Sequence, residues 1–160
     1  MKNLWRNLEN LKGDTNNPID LVKEQSAIKC CSFGKAMSYG FNPNDLGSES
    51  AIITEYHGKS IIFYNEEKPN SHINFSVLHE LGHPINDHDL RISDKNEYHK
   101  FEVEANYFAA QLLMPEQLLR ELQKRGVFIS KDFLKKTFGV SSPAAEKRIA
   151  TIDKTNFGWY

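Results

Sequence analysis

Cysteine is nearly absent from the 160 residues: two occur, Cys30 and Cys31, and they are neighbours. Adjacent cysteines do not readily reach disulfide geometry and no third is there to pair with either, so a disulfide scaffold is excluded and a reducing, cytoplasmic setting is expected. A surplus of one charge is also lacking. Lys and Arg number 20 against 21 for Asp and Glu, a net charge of −1. That balance offers no whole-chain attraction to nucleic acid or to an anionic membrane. No stretch approaches the ~20 consecutive apolar residues of a spanning helix. The opening residues are broken up by Arg6, Asn7, Glu9, Asn10 and Lys12, so no signal-peptide run is read there. Internal repeats and low-complexity tracts are missing as well. What remains is a chain of 39% hydrophobic and 11% aromatic residues, enough for one packed domain of ordinary size.

Along the chain, residues 1–17 are polar and read as an arm. Pro18, followed by Ile19, Leu21, Val22, Ala27 and Ile28, predicts a first amphipathic helix. Gly34, Gly40, Pro43 and Gly47 make 32–50 a region of turns. Two β-rich runs, 51–56 and 60–64, flank His57-Gly58-Lys59 and predict a hairpin. Beyond a polar loop at 65–71 the pattern is helical over 72–83, 100–114, 115–125, 130–138 and 143–153. Pro115 and Pro143 stand where a first turn tolerates them. The expected fold is α+β, a small antiparallel sheet packed with several helices. One domain is drawn over 18–153, with a helical hairpin at 130–153 and a tail at 154–160.

The chemistry is concentrated in His79-Glu80-Leu81-Gly82-His83, an H-E-x-x-H pattern. Residues four apart on a helix differ by only about 40° in direction and about 6 Å in height, so both imidazoles reach one ion. Neutral imidazole suits zinc, and a catalytic zinc site keeps three protein ligands and one open position. Glu80, turned about 100° from His79, is off the ligand face and placed for proton transfer to and from a water activated at the ion. Phe75 and Leu78 are expected to anchor the helix in the core. A third ligand should come from the helix at 100–114, whose apolar stripe holds Phe101, Ala105, Phe108, Ala109, Leu112 and Leu113. Glu102 and Glu104 stand on opposite shoulders of that stripe, and periodicity does not choose between them.

HELGH, with Glu104-Ala105-Asn106-Tyr107-Phe108-Ala109-Ala110 and Leu112-Leu113-Met114-Pro115 some twenty residues on, resembles the ImmA/IrrE metallopeptidases. Ile61-Ile62-Phe63-Tyr64-Asn65, Phe75-Ser76-Val77-Leu78, and Val140-Ser141 with Ala144, Ala145 and Arg148 extend the likeness over about residues 18 to 153. The resemblance implies a zincin-like fold. It implies one zinc ion on His79, His83 and the Glu of E-A-N, here Glu104, with Glu80 as the catalytic carboxylate. It also implies action on a DNA-binding repressor, by cleavage or by other relief of repression, in a phage, mobile-element or stress-response circuit. The alternative is a non-proteolytic antirepressor that binds its repressor stoichiometrically around a structural metal. Two departures stand out. Pro84 directly follows the second ligand and is expected to kink or stop the helix at His83. The polar Asp87-His88 stretch suggests that His88 lies near the metal entrance.

The remaining candidates carry blander readings. Tyr56, His57, Tyr98, His99 and Tyr107 include types able to donate to a developing oxyanion, though several read as packing groups. The strand 61–64 is a core strand with an edge available to an extended substrate. Cys30 and Cys31 read as buried hydrophobes. The helices at 130–138 and 143–153 have helix-turn-helix spacing, with Lys131, Lys135, Lys136, Lys147, Arg148 and Lys154 nearby. An ordinary helical hairpin with a basic face explains them, so direct nucleic-acid binding is not expected.

Overall fold

Strand β1 (Lys29–Ser32) opens a three-stranded sheet completed by the hairpin β2 (Ala51–Tyr56) and β3 (Lys59–Tyr64). The computed structural model describes residues 19–20, 22 and 27–155. The expected arm over 1–17, most of the helix expected from Pro18, and Trp159 and Tyr160 lie outside the described residues. Among the described residues five α-helices follow the sheet: α1 (Asn70–Ile85), α2 (Lys95–Leu113), α3 (Glu116–Lys124), α4 (Lys131–Phe138) and α5 (Ser142–Thr155). The class is α+β, as expected. Among the described residues no helix is long and apolar enough to cross a membrane. The chain divides between Ala109 and Ala110 into two units, inside the helix that carries E-A-N.

In the first unit the hairpin forms as predicted, with a two-residue turn. Tyr56 pairs with Lys59, leaving His57 and Gly58 at φ 50° and 72°, the positive pair that matches the twist of hairpin strands. The sheet is mixed rather than purely antiparallel. Strand order is β1-β3-β2, with β1 parallel to β3 and β2 antiparallel to it. β3 is therefore central, with both edges paired. The edge expected at 61–64 for a substrate does not exist, and the outer edge beside the site belongs to β2. β1 was missed because a four-residue strand carries little periodic signal and needs a remote partner.

Side chains alternate across β3. Ile61 and Phe63 join Phe33, Ala36 and Leu46, which come from two 3-10 segments, Phe33–Tyr39 and Pro43–Leu46, in the region predicted as turns. Tyr39 and Phe41 meet the Phe63 ring edge-on at 5.8 and 5.3 Å. Ile62 faces the other way, and α1 packs on β2 and β3. Cys30 is buried and Cys31 half-buried, its Sγ 3.5 Å from the Tyr39 hydroxyl.

Helix α1 buries Ile73, Val77, Leu78 and Leu81. Leu78 anchors it as expected, whereas Phe75 lines a cleft instead of entering the core. Pro84 does not stop the helix at His83: α1 runs one residue beyond it to Ile85. A proline so near the end removes one donor and leaves few later turns to disturb. The helix closes two residues later in a Schellman turn. Asp87 takes φ 58°, its N–H reaches the Pro84 carbonyl at 3.4 Å, and the His88 N–H reaches the His83 carbonyl at 3.0 Å.

The second unit has its own core of Met114, Leu119, Ile129, Leu134, Val140, Ala145 and Ile152. α4 starts on a Ser130 cap, whose hydroxyl accepts from the Phe133 N–H at 3.1 Å, and ends on Gly139 at φ 64°. Arg148 is not on a basic face. It is 2% exposed, with Nε donating to the Met114 carbonyl at 2.9 Å and Nη2 to Gln111 Oε1 at 2.6 Å.

Candidate metal centre

His79 and His83, one turn apart on α1, aim their Nε2 atoms at a common point and stand 3.2 Å apart there. α2 brings the third group. Glu102 Oε2 lies 3.3 Å from His79 Nε2, and Oε1 lies 3.5 Å from His83 Nε2. One ligand atom from each of the three falls within 4.8 Å of the others. Zinc bonds of about 2.0–2.1 Å set neighbouring corners of a tetrahedron about 3.4 Å apart, so the spacing suits that ion. The donor chemistry suits it too, since two imidazoles and a carboxylate all present electron pairs. Burial, with His79 close by, pushes His83 down to about 4. Burial also lowers His79, against the opposing pull of Glu102. At neutral pH both rings are neutral, the form that binds metal.

Gly82 lets α2 come this close. A Cβ there would lie 3.1 Å from the Ala105 Cα and 3.2 Å from Phe108 Cδ1. The Gly of HELGH and the Ala of E-A-N thus meet in a close contact between the two helices.

Glu104, the ligand that the resemblance implies, is not in the group. Its Oε2 lies 2.9 Å from His88 Nε2, and the position beside the two histidines is held by Glu102. The two carboxylates are about 200° apart around α2, so only one shoulder can face α1. The packing of Ala105 on Gly82 turns the Glu102 shoulder inward.

Glu80 stands off the ligand face. Its Oε2 accepts from the Ile53 N–H of β2 at 3.0 Å. Burial raises its carboxyl to about 7, with the Ile53 bond opposing and Glu102 and Glu49 adding to the rise. His79, Glu80, His83 and Glu102 line one cleft with Tyr98 and Asn106. Of the oxyanion candidates, Tyr98 lines this cleft; Tyr56 packs edge-on against Tyr39 at 5.2 Å. His57 sits in the hairpin turn, and His99 and Tyr107 are exposed.

Two contacts were not foreseen in the sequence. His79 Nδ1 lies 3.1 Å from Asn106 Oδ1, so the Asn of E-A-N holds the ring of the first histidine. His88 is not at an entrance: its side chain is 2% exposed and sits behind His83, Nδ1 to Nδ1 at 3.0 Å. The first has a signal in the motif. The second depends on a turn that brings His88 back under α1.

The family model of the IrrE N-terminal-like domain matches residues 31–150. The chain belongs to this peptidase family. No curated protein matches it. Within the IrrE-like domain, the matched span runs from β1 into α5 and contains every residue of the centre. Membership makes it a metallopeptidase-family protein, and the group of His79, His83 and Glu102 is one that could hold the metal.

Proposed function

We propose that this IrrE-like domain is a zinc-dependent endopeptidase of the cytoplasm that cuts a DNA-binding repressor at one or a few sites. Repression in a phage, mobile-element or stress-response circuit is thereby relieved. The observation that carries the hydrolase reading is the convergence of His79, His83 and Glu102 with Glu80 beside them in one cleft. His79, His83 and Glu102 would hold zinc, which supplies Lewis acidity toward a carbonyl and a water. Glu80, steadied by the Ile53 N–H, takes a proton from the attacking water and passes it to the departing amine. An extended peptide pairs with the outer edge of β2, where Ala51 and Ile53 line the cleft. Tyr98 at the rim is the side chain poised to donate to the oxygen that gains charge. The repressor as substrate is supported by the resemblance of HELGH and E-A-N…L-L-M-P to the ImmA/IrrE proteins.

The test uses Glu80→Gln as bait in lysate of the source cell, followed by intact masses of the captured partner mixed with the wild type and zinc. The expected result is one discrete cut by the wild type, slowed by at least about 10²–10⁴-fold in E80Q while zinc stays bound. A partner bound by both proteins and left whole makes the domain a stoichiometric antirepressor around a structural metal.

A further inference from the structure

We propose that His88 and Glu104 are positioning residues that fix the tautomer and the orientation of His83 for the metal. This rests on the assignment of His79, His83 and Glu102 as ligands. His83 turns Nε2 toward His79 and Glu102 and Nδ1 toward His88 Nδ1, 3.0 Å away. Two ring nitrogens at that distance share one hydrogen, so one donates and the other accepts. A ligating nitrogen carries no proton, so neutral His83 holds its proton on Nδ1 and is the donor. His88 then accepts at Nδ1 and carries its own proton on Nε2. That nitrogen faces Glu104 Oε2 at 2.9 Å, and a carboxylate can only accept. Each link has one donor and one acceptor, and the polarity of the chain is set from its Glu104 end.

The His88 ring is gripped on every side that matters. It stacks on Phe101 with centroids 4.3 Å apart and planes 10° from parallel. Its backbone N–H is tied to the His83 carbonyl by the turn through Asp87. Glu104 is half-exposed, with Lys100 Nζ 4.0 Å from its other oxygen. The two ligand rings are thus held by different means, His79 by the Asn106 amide and His83 by a second imidazole backed by a carboxylate. A ligand imidazole that donates to such a partner is fixed in rotation and made a better electron-pair donor.

The full chain with ¹⁵N-labelled histidine, loaded with zinc, tests this by long-range proton–nitrogen correlation. His83 should carry its proton on Nδ1 and His88 on Nε2 with a bare Nδ1. A proton on His88 Nδ1 overturns the proposal, whatever any variant does. Zinc competition against a chromophoric chelator supplies the second reading. His88→Leu keeps bulk against Phe101 but accepts nothing, and should weaken zinc binding by about 10–100-fold, with a changed cobalt(II) spectrum. His88→Asn, whose Oδ1 can take the place of Nδ1, should recover most of that affinity. H88L binding as tightly as the wild type overturns the positioning role alone. So does H88N binding as weakly as H88L while both apo-proteins melt like the wild type, since the ring then acts by packing only. Wild-type protein that takes up no zinc removes the ligand assignment itself, and this proposal with it.

Discussion

The two units of the chain bury polar groups in opposite ways. In the second, the Arg148 guanidinium is buried and its donors go to chain acceptors, the Met114 carbonyl and Gln111 Oε1. In the first, two imidazole nitrogens and a carboxylate crowd within 4.8 Å of one another and all offer electron pairs. In the tautomers proposed above, with the Nδ1 protons directed to Asn106 and His88, the Nε2 atoms 3.2 Å apart have no proton to share. A buried group whose partners lie within the chain is architecture. A cluster of acceptors converging on one another is complementary to a cation. Arg148 therefore leaves the basic face on which its neighbours in sequence suggested it, while Lys131 of that face pairs with Glu146 at 3.0 Å.

That contrast can be broken at either end. The largest effect is expected at the centre. Glu102→Ala should lower zinc affinity by more than the about 10–100-fold that outer-shell changes cost, and Glu104→Ala should fall within that range. Chelator competition on both variants decides it, and the reverse order would return the ligand role to Glu104. Next comes Arg148→Met, which removes a donor from the buried Met114 carbonyl and one of the two donors from the half-buried Gln111 Oε1, which keeps the Glu116 N–H. Stability should drop by about 1–3 kcal/mol in denaturant titration, with zinc uptake unchanged. An unaltered midpoint would deny Arg148 its structural role. The smallest effect is expected at the turn that delivers His88. Asp87→Gly relieves a left-handed conformation and should raise stability by no more than about 1 kcal/mol in thermal melts, with zinc affinity unchanged. Weaker zinc binding would mean that Asp87 does more than shape the turn.

Much of this was legible from local pattern. HELGH announced two histidines on one helix face because the helical repeat alone brings them together, and Glu80 stands off that face for the same reason. The hairpin was written in the turn residues His57-Gly58-Lys59, and the starts of α3 and α5 in Pro115 and Pro143. β1 was illegible because a short strand is specified by its partner, here a parallel one some thirty residues away. The helix does not stop at His83 as Pro84 suggested, because a local rule about proline takes no account of how soon the helix ends.

Residue types and their helical spacing, which need no tertiary information, determined the chemistry available: two imidazoles, two rival carboxylates and a further carboxylate, Glu80, off the histidine face, on two amphipathic helices. Tertiary structure decided which carboxylate faces the histidines and what lies behind them. Opposite shoulders of α2 are equivalent until the helix packs. The contact of Gly82 with Ala105 chooses one, because the missing side chain at Gly82 makes room for the Ala105 backbone. With that rotation set, Glu102 faces His79 and His83, Asn106 reaches His79, and Glu104 is left to His88.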